Sequence, residues 1–121
     1  MELTQVTQPG RQIIDQYGVD GFRVSGVVYR GPLLVFPEQT IEWVDAALSP
    51  ESLAPVVAHG GIELLLLGLG RRMAPVAPKL RVALRASGIA LEAMDTGAAC
   101  RTYNVLLAED RRVAAALLPL I

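Results

Sequence analysis

Apolar and polar positions along the chain fall into two regimes. In the first third the apolar residues come in short β-rich runs: Gln12-Ile13-Ile14, Phe22-Arg23-Val24, Val27-Val28-Tyr29 and Leu33-Leu34-Val35-Phe36. Turn-forming segments separate them: Tyr17-Gly18-Val19-Asp20-Gly21, Ser25-Gly26 and Arg30-Gly31-Pro32, with a stop at Pro37. Runs of this length, broken by Gly and Pro, predict an antiparallel meander.

Beyond residue 48 the runs lengthen. Ser49-Pro50-Glu51 reads as an N-cap, a first helical residue and an acidic first turn, opening a helix to Ala58 that must accommodate Pro55. Gly60-Gly61 breaks it. Ile62 to Leu67 is almost continuously apolar, the pattern of a strand covered on both faces. A helix is predicted from Val76 to Gly88, with Leu80, Val82, Ala83 and Leu84 as its apolar side. A strand follows from Ile89 to Met94. Asp95 or Thr96 then caps a helix from Gly97 to Glu109. Val113 to Leu118 reads as a last strand, although its alanines would equally suit a helix. Strand, helix, strand, helix predicts a right-handed βαβ crossover, with parallel strands at Ile62–Leu67 and Ile89–Met94. The expected fold class is α/β: one domain over residues 1–121, an N-terminal β-meander followed by a βαβ unit in a mixed β-sheet.

Composition narrows the chemistry. With 121 residues and 52% hydrophobic side chains, one buried core is expected, built from aliphatic residues because aromatics are 5%. A net charge of −1 and a pI near 5.8 argue against a nucleic-acid partner held by bulk electrostatics. One cysteine, Cys100, and one histidine, His59, allow no intramolecular disulfide and too few ligands for a structural zinc site; no cofactor is expected. Met1-Glu2-Leu3-Thr4-Gln5 lacks the basic and apolar regions of a signal peptide. Ile62 to Leu69 is too short to span a bilayer and contains Glu63. A soluble cytoplasmic protein without membrane insertion is the expectation.

One segment is distinctive. Gly68 and Gly70 end a strand; Gly88-Ile89 opens the next; Glu92, Met94 and Thr96 form a Glu-x-Met-x-Thr turn. Arg101-Thr102-Tyr103-Asn104 follows early in a helix, and Glu109 and Arg111 close it. In these residues the chain resembles a small bacterial and archaeal family whose eukaryotic relatives include assembly factor 3 of mitochondrial respiratory complex I and the adipogenesis-associated domain protein. The resemblance implies a three-layer domain with a central mixed sheet, and no catalytic residue to carry over. Two positions depart from the family pattern. Leu69 replaces the Thr of Gly-Thr-Gly, and Asp110 replaces the helix-stopping Gly of Glu-Gly-Arg.

In open α/β sheets, ligands settle beyond the carboxyl ends of parallel strands. Here two such ends, Gly68 to Arg72 and Asp95 to Gly97, are expected side by side, the second leading into a helix N-terminus. Gly68, Gly70, Arg71, Arg72, Glu92, Asp95, Thr96, Arg101, Tyr103 and Asn104 are the candidate residues of a ligand or interaction cleft, with a small anion as the ligand. In the plainer reading the glycines make a tight turn and Thr96 caps the helix. The arginines are then solvated or paired with Glu92, Asp95 or Glu109. Gly68-x-Gly70 lacks the third glycine of a dinucleotide fingerprint. Cys100, beside Arg101 at a helix start, invites a triad with His59 and Asp95, against the ordinary role of a lone Cys as a small buried hydrophobe. Glu92 and Asp95 are candidates for acid–base work, although Glu92 answering an arginine is the plainer role. Tyr103 and Asn104 are placed to close a hydrogen-bond network. Trp43 either seals a core edge or anchors an interface. Ala114 to Ile121 either pairs at an edge, giving a homo-oligomer, or is core.

Two functions from different classes follow. The first is a non-catalytic accessory or assembly factor that binds a protein partner, for a respiratory complex by resemblance. The alternative is a small-anion-binding protein or cryptic enzyme that uses the cleft. No nucleic-acid partner is expected.

Overall fold

A computed structural model describes residues 10–120. Met1 to Gln5 and Ile121, on which the leader and part of the C-terminal expectations rest, lie outside the described residues.

The N-terminal runs form β1 (Ile14–Tyr17), β2 (Gly21–Val24) and β3 (Val27–Arg30), an antiparallel sheet of three in the order β1-β2-β3. β1 starts two residues later than the apolar run at Gln12 predicts. Ser25 (φ 46°) and Gly26 (φ 83°) turn β2 into β3 with both residues in the left-handed region, the two-residue hairpin turn whose twist matches the strands.

The meander does not continue. β4 (Leu33–Val35) leaves it and joins a second sheet of five, with β5 (Thr40–Glu42), β6 (Leu64–Leu69), β7 (Ala90–Met94) and β8 (Val113–Leu118) in the order β5-β4-β8-β6-β7. The cause is visible in side-chain polarity. Every residue of β4 is apolar, so both of its faces need cover. Leu34 enters one core cluster, with Leu65, Leu67, Ala114 and Ala116. Leu33 and Val35 enter the other, with Leu66, Ala115 and Leu117. β2, by contrast, alternates buried Phe22 and Val24 with exposed Arg23 and can keep one face in water.

As predicted, β6 and β7 run parallel, and β8 runs parallel to β6 on its other side. β4 is antiparallel to both β8 and β5, so the sheet is mixed. α1 (Ala54–His59) and α2 (Pro78–Arg85) contribute Val56, Leu80 and Leu84 to the cluster on one face. α3 (Thr96–Ala108) contributes Ala99, Cys100, Tyr103 and Leu107 to the other, where Phe22 and Val24 of the small sheet also enter. The molecule is the expected three-layer α/β domain.

Helix starts differ from the pattern. α1 begins at Ala54 rather than at Pro50, because Pro55 belongs in a first turn, where its missing N–H costs nothing. Ser49 caps only the turn before it, its Oγ accepting from Ser52 N (3.1 Å). α2 begins at Pro78 rather than Val76, since the residue before a proline is pushed out of the helical region and Ala77 is extended (ψ 134°). At the end of α3, Asp110 takes a left-handed φ of 60°, and Arg111 N donates to Leu106 O (3.0 Å). Asp110 thus does the work of the glycine it replaces.

β8 is a strand, not a helix, and sits third in a sheet of five. Of the two readings of Ala114 onward, core holds for Ala114–Leu117 and edge pairing does not: both ladder sides of β8 are occupied, by β4 and β6. No helix among the described residues is long and apolar enough to cross a membrane.

Candidate functional site

The chain leaves β6 toward α2 on one face of the sheet and leaves β7 toward α3 on the other. Neighbouring parallel strands whose connections part in this way leave a crevice at their carboxyl ends. Four of the candidate residues meet there. Thr96, fully buried, donates its N–H to Gly70 O (2.8 Å). Its Oγ1 accepts from Gly70 N (2.8 Å) and donates to Leu118 O (2.6 Å). One side chain thereby joins the ends of β6 and β8 to the start of α3. Gly68 permits the approach: a Cβ there would lie 2.9 Å from Leu117 Cδ2 and 3.1 Å from both Thr96 Cα and Oγ1. Gly70 turns away with φ 86°. Of the two cap candidates Asp95 caps the helix, its Oδ1 accepting from Ala98 N (2.9 Å).

The charged candidates stand outside this network. Arg71, Arg72 and Glu92 are exposed, and none of them has an ion pair or side-chain hydrogen bond among the described residues. Glu92 therefore answers no arginine here. Arg101 Nη1 donates to Tyr17 OH (3.2 Å). That hydroxyl lies over the first turn of α3, where a Cβ on Gly97 would come within 2.7 Å of it.

One turn further, Asn104 works as a clamp. Its Oδ1 accepts from Ile14 N and its Nδ2 donates to Ile14 O, both at 2.9 Å, pinning β1 to α3. Arg11 adds a bond from Nη2 to Leu107 O (2.8 Å) near the C-terminal end of the same helix. Tyr103 is buried beneath, and its hydroxyl has no partner among the described residues. Burial holds that phenol's pKa well above its ordinary range; the nearby Arg11 opposes the shift and Glu38 adds to it. The predicted network thus uses Asn104 but not Tyr103. Tyr17, Ile14, Gly97 and the Leu118 carbonyl are the participants that sequence reasoning missed. A glycine in the first turn of a helix was the one available signal, because it marks a close approach.

The nucleophilic triad fails on geometry and electrostatics together. Cys100 is buried, and its pKa is pushed up to about 12 by desolvation; Arg101 lowers it and Asp95 raises it further. His59 stacks on Phe36 (4.3 Å, 5°) and meets Glu38 Oε1 through Nε2 (3.0 Å). Phe36 belongs to the core cluster on the opposite face of the sheet from Cys100. Asp95 is occupied by its cap. Trp43 seals a core edge, with Nε1 donating to Ser52 Oγ (2.7 Å).

Residues 14–118 match the model of a family described as a protein of unknown function (DUF498/DUF598). The chain belongs to this family. It is 44% identical over 108 residues to an uncharacterized protein of Rhodobacter capsulatus, covering 88% of this chain and 84% of that one. It is 35% identical over 111 residues to NADH dehydrogenase (ubiquinone) 1 alpha subcomplex assembly factor 3 of Xenopus tropicalis. That match covers 88% of this chain but 60% of the factor, so the chain spans less than two thirds of the factor's length. The crystal structure of an outer membrane protein from Bartonella henselae superposes with a TM-score of 0.83 at 39% identity, over 92% of this chain and 97% of that one. In this DUF498/DUF598 member, Thr96 ties strand ends together, Asn104 anchors β1 and Arg101 holds Tyr17 over the helix start.

Two outcomes are expected. Thr96→Val keeps the shape but leaves Gly70 N–H and Leu118 C=O unpaired in a buried site. It should cost about 2–4 kcal/mol in urea unfolding, with Thr96→Ser recovering most of the loss. Cys100 should resist iodoacetamide at neutral pH in the folded protein. Its thiol stays protonated in the fold from its ordinary value near 9.0 up to about 12. The unfolded chain binds fewer protons over that window, so the thiol should lower stability as pH rises through it, by at most about 1.4 kcal/mol per pH unit. Comparing the alkaline unfolding of Cys100→Ala with that of the parent checks the sign.

Proposed function

We propose that this chain is a non-catalytic accessory or assembly factor that acts by binding a protein partner, for a respiratory complex. The observation that carries the reading is the state of the crevice. The position where α/β domains commonly take a ligand is filled by the chain's own Thr96, and the backbone groups of Gly70 and Leu118 are already paired. Of the nucleophilic and acidic side chains nearest it, Cys100 is buried and protonated, and Asp95 caps α3. Apolar side chains are instead open on the small sheet and its turns, with Val19, Val27 and Val28 half or more exposed. The role of the Xenopus relative, as its name states it, supplies the kind of partner.

A second reading is favoured by the three free or weakly bonded arginines around the crevice mouth. Arg71, Arg72 and Arg101, with Gly68, Gly70, Asp95, Thr96 and the exposed Glu92, would form a cleft for a small anion; Tyr103, buried, and Asn104, bonded to Ile14, take no part in it. A ligand at 100 times its dissociation constant should stabilise the fold by about 2.7 kcal/mol. Absence of any melting shift with inorganic phosphate and a panel of carboxylates overturns this second reading.

For the assembly reading, the decisive measurement is the amount of intact respiratory NADH dehydrogenase on native gels after the gene is removed from its host. A several-fold fall, restored by the wild-type chain, is expected. An unchanged amount overturns it.

A further inference from the structure

We infer that the free edge of β3 receives an extended protein segment of alternating acidic and apolar residues, which adds a fourth strand to the small sheet. The inference rests on the protein-binding reading above and names the surface and the chemistry of the partner.

The backbone supplies the first part. The β2–β3 ladder turns at Val24 and Val27, and Gly31 N donates to Asp20 O (2.9 Å) at its far end. Paired and unpaired positions alternate along an antiparallel ladder, so the N–H and C=O groups of Val28 and Arg30 point away from β2. The other sheet edges are less available. β5 has three residues, and Thr40 Oγ1 is bonded to Gln12 Oε1. On β7 the Leu91 carbonyl accepts from Arg81 Nη1 (2.6 Å). β3 has no such cover among the described residues, nor any proline or bulge; of the usual protections of an open edge it keeps its short length and the charge of Arg30, which guards against basic and apolar strands but not against an acidic one.

Side chains supply the second part. On the outer face Arg23 lies opposite Val28, and Arg30 is two positions along from Val28. Both arginines are exposed, and neither has a hydrogen bond or ion pair among the described residues. They border a shallow concavity of about 280 Å³ whose lining includes Gln16, Gly21 and Val28. Gly21 leaves that floor bare, since a Cβ there would run into the Tyr29 carbonyl oxygen. Asp20 is at the rim but pairs with neither arginine. The other face of β3 presents Val27, 53% exposed, and half-buried Tyr29. An added strand would place alternate side chains beside these two faces. Carboxylates belong on the side of Arg23 and Arg30, and apolar groups beside Val27 and Tyr29. Main-chain pairing supplies affinity and the alternating side chains supply selectivity, as in other strand-addition complexes.

The test is an NMR titration of the isotope-labelled chain with a synthetic ten-residue peptide of alternating glutamate and valine. Two controls accompany it: the lysine–valine counterpart, and the acidic peptide N-methylated at alternate amides. The acidic peptide should shift the Val28 and Arg30 amides, and both controls should bind at least tenfold more weakly. Arg23→Glu/Arg30→Glu should weaken the acidic peptide at least tenfold. Val28→Pro, which removes an outward N–H and spares the ladder, should do the same with the melting temperature of the fold checked separately. No binding at millimolar peptide overturns the inference, as does equal binding of either control. So does a dimer in sedimentation that already occupies the Val28 and Arg30 amides, since the edge then takes a second copy. These readouts use purified protein, so their failure leaves the assembly reading standing. An unchanged complex after gene removal, conversely, leaves the β3 surface to be judged by the titration.

Discussion

The hydroxyl of Thr96 is the point on which the strand ends depend. A parallel sheet leaves backbone groups unpaired where its strands stop, and burying them without partners costs free energy comparable to a lost hydrogen bond for each. Thr96 accepts from Gly70 N, donates to Leu118 O and uses its own N–H on Gly70 O. Three segments far apart in sequence are held by a side chain with one donor and two acceptor positions. The approach is close enough that Gly68 can carry no side chain. Leu69, where the family pattern has Thr, lies outside this bonding, so losing that hydroxyl does not disturb the junction. Substituting Asp for Gly at 110 is equally absorbed, because Asp is among the few residues that tolerate a left-handed φ.

The crevice of an α/β switch point can serve a ligand or the fold. In this chain Thr96 bonds Gly70 and Leu118 there, so the fold draws on the same backbone groups that a ligand would use. The second anchoring contact, Asn104 on Ile14, works in the same direction. It fastens the small sheet to α3 through β1 and leaves β3, two strands away, as an open edge. The sheet that is fastened at one side and free at the other is also the one carrying unpaired Arg23 and Arg30.

Much of the site was legible as a list of residues and little of it as a geometry. Gly68, Gly70, Asp95 and Thr96 do meet, because parallel neighbours at β6 and β7 follow from the apolar runs and the handedness of the crossover. Periodicity cannot tell which hydroxyl or carboxylate caps and which bridges, since Asp95 and Thr96 are both good caps. Nor could it find Tyr17, which reaches Arg101 across a separation of 84 residues. Cys100 carried a misleading local signal: a helix start and an adjacent arginine lower a thiol pKa, but desolvation in the core outweighs Arg101, and Asp95 adds to the rise.

From sequence alone came most of the element types (not β5, and β8 only as one of two options), the parallel βαβ pairing, the three-layer expectation and the family. These rest on local patterns: apolar spacing, turn residues and a short distinctive run from Glu92 to Asn104. Tertiary structure decided the rest. It divided the meander between two sheets, because a strand apolar on both faces needs two layers and a strand apolar on one face does not. It put β8 in the middle of the large sheet, and it set Thr96 between the ends of β6 and β8. Those outcomes depend on which buried groups find partners across the whole fold, and hydrogen-bond pairing between distant segments leaves no periodicity in the chain.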